Sequence, residues 1–226
     1  MKPTTADVQE VLKALERVSS KGVRDEMSTR YGVHTKNALG VAMRDMLAIA
    51  KEIGVNHRLA LALWDTGGYE ARMVASMIDD PALVTSAQME RWCKDFDNWG
   101  ICDTVCFKLF DRTPHAWAKI WKWAASDSEF VKRAGFALLW ALSLHDKSKA
   151  NEPFVRALTL VEREADDDRH LVKKAVSMAL KAIGRRSPEL NKAALAVATK
   201  LSRAPEPASR WVGRDAARWL VRNQTS

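Results

Sequence analysis

Long apolar runs are missing from this sequence. No stretch approaches the roughly 20 residues a membrane-spanning helix needs, and the opening MKPTTADVQEVLKALERVSS holds no apolar block of the signal-peptide kind. A cytoplasmic, non-membrane protein is therefore expected. Glycine and proline are scarce, at 10 and 7 in 226 residues, which leaves little turn chemistry and few long loops. Two tyrosines and few consecutive β-branched residues speak against a sheet-rich fold. Three cysteines, Cys93, Cys102 and Cys106, are too few and too clustered for a disulfide framework. Cys102 and Cys106 stand four apart and can share a helical face, but no further cysteine or histidine lies near to complete a zinc site. The five histidines follow no ligand or catalytic pattern. Gly-rich phosphate loops, metal-ligand clusters and a nucleophile elbow are lacking too, so no metal and no cofactor is expected.

What the sequence does have is helical periodicity. ADVQEVLKALERV sets Val8, Val11, Leu12, Leu15 and Val18 on one stripe, and ALGVAMRDMLAIAKEIG repeats the pattern until Gly54. NHRLALALWD and YEARMVASMIDD form a pair joined by Gly67 and Gly68. Pro81, Pro114, Pro153, Pro188 and APEP mark later helices at or near their first turns. About a dozen helices and no strand are expected.

The second half repeats. FVKRAGFALLWAL, LVKKAVSMALKAI and WVGRDAARWLV align with a base at one position, Arg133, Lys174 and Arg214, 41 and 40 residues apart. That period suits HEAT-type helical pairs, and Arg72 in YEARMVASMI resembles an earlier copy. In a solenoid such positions stack along one curved wall, so the bases are expected to form a cationic strip, with Lys132, Lys173 and Arg185 adding charge. A net charge of +8 points the same way, towards the regular anionic backbone of duplex DNA. The plain alternative makes each base an ordinary surface residue with its aliphatic stem on the core edge.

Nine tryptophans are spread from Trp64 to Trp219. Trp117, Trp121 and Trp123 divide between faces of one helix and read as packing residues. Trp211 and Trp219 are expected to close the last repeat. Trp99 and Asp103 lie four apart in NWGICDTVC and so share a helical face. They are either a core ring beside a surface charge or two parts of one site.

LWDTGGYEARMVA, NWGICDTV and KWAASDSEFVKRAGFALL together resemble signature stretches of the AlkD-type DNA alkylation repair proteins, HEAT-like solenoids that include glycosylases excising alkylated purines. The similarity runs from about residue 37 to the last helix. It implies an all-α, right-handed α-solenoid of HEAT-like repeats, a single curved domain over residues 1–226, with N-terminal helices in 1–36 and family-like repeats in 37–222. The family's catalytic Trp and Asp match Trp99 and Asp103; a second register puts Cys102 and Cys106 there instead. Its active-site Arg matches Arg133. Its second catalytic Trp falls on Met178, a departure that removes one aromatic wall of the cleft.

The resemblance implies a DNA glycosylase hydrolysing the N-glycosidic bond of cationic alkylpurines in double-stranded DNA, acting as a monomer without a cofactor. Arg72, Lys132, Lys173, Lys174, Arg185 and Arg214 would bind the DNA. Met178 and the second register favour instead a non-catalytic relative that binds damaged or branched DNA. A helical scaffold for another protein is a third reading.

Overall fold

The computed structural model describes residues 5–35 and 37–223, and among them thirteen α-helices and no strand. They gather into two compact units, the first ending at Pro114 and the second beginning at His115.

The first unit holds α1 (Thr5–Arg17), α2 (Lys21–Thr29), α3 (Met43–Ile53), α4 (His57–Asp65), α5 (Tyr69–Ile78), α6 (Ser86–Lys94) and α7 (Trp99–Lys108). Short polar residues start several of these helices. Ser20, Asn56, Thr85 and Asn98 each accept a hydrogen bond from the backbone N–H three residues on. The core is aromatic: Trp64 stacks on Trp92 with ring centroids 3.9 Å apart, and Phe96 and Phe110 pack around the pair.

A buried carboxylate fixes the loop between α2 and α3. Glu70, on the first turn of α5, accepts hydrogen bonds from the backbone N–H groups of Leu39 (2.9 Å), Gly40 (2.8 Å) and Val41 (3.2 Å). Gly40 sits there at φ +86°, in close contact with the Ser20 carbonyl at the start of α2. The loop thus ties α2 to α5 through one acid.

The second unit holds α8 (Ala116–Ala124), α9 (Glu129–His145), α10 (Glu152–Glu164), α11 (His170–Gly184), α12 (Pro188–Leu201) and α13 (Pro207–Arg222). Pro153, Pro188 and Pro207 stand in the first turns of their helices, where a missing N–H loses nothing. Trp123 is in the core and Trp117 packs edge-on against Phe154.

Alternate helices of this unit run parallel. Arg133 of α9 reaches Leu171 of α11, and Ser177 of α11 reaches Asp215 of α13, both across 38 residues. Gly135 and Gly213 let the helices of a pair close up. A Cβ on Gly135 would stand 2.6 Å from the Ala124 backbone nitrogen at the end of α8, and one on Gly213 would strike the equivalent Ser202 nitrogen after α12. These glycines correct the repeat register read from the sequence. Arg133 lies two residues before Gly135, and it is Trp211, not Arg214, that lies two before Gly213.

Candidate functional site

Asn98 starts α7 by accepting the Ile101 N–H at 3.0 Å, which makes Trp99 the first helical residue and sets Asp103 one turn later. Both line a cavity of about 350 Å³ in the first unit. Four methionines, Met27, Met43, Met46 and Met73, give it soft apolar walls, and Glu26 is the second acid beside Asp103. No lysine, arginine or histidine is among the described lining residues. The Trp99 indole donates a 2.9 Å hydrogen bond to the Tyr31 carbonyl.

The small residue after Trp99 is needed. A Cβ on Gly100 would come within 2.9 Å of the Tyr69 hydroxyl, which stands on the same cavity. Burial, with Glu70 and Asp97 nearby, pushes the Tyr69 phenol up to about 12, so it stays an O–H donor at neutral pH. Cys102 and Cys106 are wholly buried and line none of this cavity. Burial beside Cys102 holds the Cys106 thiol far above its usual range, and it is a packing group.

The basic residues divide. Arg72 is absorbed by its own unit: it donates to the Trp64 carbonyl (3.3 Å) and the Asp95 carbonyl (3.2 Å), and its guanidinium lies over the Trp64 ring. Lys132 is ion-paired with Glu164 at 2.8 Å and Asp167 at 3.2 Å, which neutralises the charge expected on the strip. Arg133, only 6% exposed, donates to the Leu171 carbonyl at 2.6 Å. An open row from Arg133 through Lys174 to Arg214 is therefore not what the second unit presents: α11 covers the first of the three.

Exposed cations are spread over this unit, Lys122, Arg156 and Lys192 among them, and several of them sit on α11 and α13. Lys174 lies on the outer stripe of α11 with Met178, Arg185 is exposed just past the end of that helix, and Arg214 lies on the outer stripe of α13. Lys173 is half-buried, its ammonium 5.7 Å from the centre of the Trp211 ring. Trp211 does not close the last repeat as expected. It is 37% exposed, and Arg214, Arg218 and Arg222 follow it at helical spacing on the open side of α13. That spacing was a signal the sequence carried. The part played by Glu26 of α2 and by Tyr31 just after it had none.

The all-helical fold of paired helices agrees with the comparisons. The sequence model of the DNA alkylation repair enzyme family matches residues 11–220, and the chain belongs to that family. A solved structure described as "a new family of proteins related to the HEAT-like repeat DNA glycosylases with affinity for branched DNA structures" has the same fold, with a TM-score of 0.76 at 23% identity. The match covers 93% of this chain and 94% of that one. No curated protein sequence matches the chain. Among the described residues no helix is long and apolar enough to cross a membrane.

Proposed function

We propose that the protein binds duplex DNA and hydrolyses the N-glycosidic bond of cationic alkylpurines, with Trp99 and Asp103 as the reacting site. The observation that carries this reading is the shared cavity of that indole and that carboxylate. Glycosidic cleavage builds positive charge on the deoxyribose, and a carboxylate held beside the sugar lowers that barrier. A purine alkylated at N3 or N7 is already cationic and leaves without a general acid, so one acid suffices where ordinary glycosidases use two. The Trp99 ring offers its face to the same cation. Lys173, Lys174, Arg185 and Arg214 would meet DNA phosphates, and Arg133 would steady the α9–α11 contact behind them.

A second reading, a relative that binds damaged or branched DNA without cleaving it, is favoured by Met178. It is 36% exposed where the family's second catalytic tryptophan would stand. Incubation with methylated duplex DNA, scored for released base, separates the two. Wild type should release alkylpurine, and Asp103→Asn should lower the rate about a hundredfold or more with DNA affinity unchanged. No release by wild type would leave the binding reading; equal release by Asp103→Asn would overturn the assignment of the site.

A further inference from the structure

The outer side of α11 and α13 combines an open indole with cations. Trp211 is 37% exposed, although burial of so large a ring is the ordinary outcome for tryptophan. Neighbouring contacts hold the ring in place: Lys173 stands over it, and one turn further along the same pair of helices Ser177 and Lys181 grip Asp215 at 2.6 and 2.5 Å. Asp215, the acid of α13 on that side, is thus engaged inward. Outward the two helices present Lys174, Arg214, Arg218 and, one turn from Lys174, the thioether of Met178.

We propose that this face binds an unpaired nucleotide of DNA, the base stacking on Trp211 and its flanking phosphates meeting Lys173, Lys174 and Arg214. The occupant follows from two complementarities. Neighbouring exposed cations suit a phosphate backbone. An indole face suits a base face, and a continuous duplex hides its base faces within the stack, so the ring is useful only where a strand is open. The inference rests on the DNA-binding half of the proposed function and extends it from duplex phosphates to exposed bases. It makes no use of the Trp99–Asp103 cavity.

The test measures DNA affinity by fluorescence anisotropy at one low salt concentration, using a plain duplex, the same duplex with a single-stranded tail, and the single strand. Wild type should bind the tailed duplex and the single strand more tightly than the plain duplex. Trp211→Ala should remove about tenfold of that preference while leaving plain-duplex affinity within twofold, and Trp211→Phe should restore most of it. Lys174→Glu with Arg214→Glu should weaken all three together. A preference untouched by Trp211→Ala, or no preference in wild type, overturns the proposal while duplex binding stands. Failure to bind any of the three DNAs overturns the DNA-binding reading as well. Equal competition by poly-glutamate, with the same dependence on Trp211, would mark a site for acidic protein and also overturn it.

Discussion

The indole nitrogen of Trp99 donates a 2.9 Å hydrogen bond to the backbone carbonyl of Tyr31, across 68 residues. The ring at the candidate site is therefore steered by a segment that follows α2. Because the acceptor is backbone, the side chain at residue 31 is not needed for the bond. Trp99→Phe, which keeps a ring but loses the donor, should lower stability by about 1 kcal/mol. Tyr31→Ala, with the carbonyl retained, should cost less. Urea unfolding of the two variants distinguishes a hydrogen bond from a loss of ring packing.

Glu70 makes a second such link. Its carboxylate takes three backbone N–H groups from Leu39 to Val41, and a glutamine amide can offer only one accepting atom to them. Glu70→Gln should cost about 2–3 kcal/mol, since a buried donor is left facing an NH₂ group. Hydrogen exchange at residues 39–41 should accelerate in that variant well before exchange in the α9 core of the second unit.

How much of this was legible beforehand depends on the range of the interaction. Helix starts and stops were readable because prolines and glycines act locally: Pro188 and Gly54 do their work within one turn. The common face of Trp99 and Asp103 followed from spacing alone. Burial of Arg133 did not, because the Leu171 carbonyl that receives it comes from a later repeat. Lys132 likewise meets Glu164 and Asp167 only once α10 has folded back. A base in FVKRAGFALL reads the same whether it faces solvent or a neighbouring helix. Trp211 was misjudged for the opposite reason, since an apolar ring near the chain's end suggests closure of the core.

The same ion pairs set an acid response in the second unit. Burial alone would raise the Glu164 carboxyl, but hydrogen bonds from Lys132 and Arg163 outweigh it and hold its pKa below the usual 4.5. Asp167 lies below 3.8 chiefly through Arg169. Asp215 lies below 3.8 despite burial, because Lys181 and Ser177 bind its ionised form. A carboxylate whose pKa is depressed by folding stabilises the fold fully above its unfolded value and loses that contribution as pH falls through the folded one. Asp167→Asn should therefore destabilise the protein at neutral pH, with the difference from wild type shrinking as pH drops from about 5 to about 3. Chemical unfolding across that range checks the sign: a difference that grew in acid would contradict the ion-pair origin.

Arg186 closes the far end of α9. Its guanidinium donates to the Ser143 carbonyl at 2.8 Å and the Lys149 carbonyl at 3.2 Å, with the Leu142 carbonyl at the edge of reach, and it lies 3.8 Å from the centre of the Phe154 ring. These include carbonyls at the C-terminal end of a helix, where the backbone has no partner of its own and the dipole favours a cation. Burial lowers the Arg186 pKa from its usual value, yet so strong a base remains charged. Arg186→Met keeps the aliphatic stem and removes every donor, so it should cost about 2–3 kcal/mol. Arg186→Lys keeps the charge but cannot spread donors over several carbonyls while its cation lies over the ring, so it should recover less than half of that loss. Thermal unfolding of the two variants, with a double-mutant cycle to Phe154→Leu, separates the carbonyl contacts from the ring contact: the cap accounts for the loss if Arg186→Met stays costly when the Phe154 ring has already been replaced.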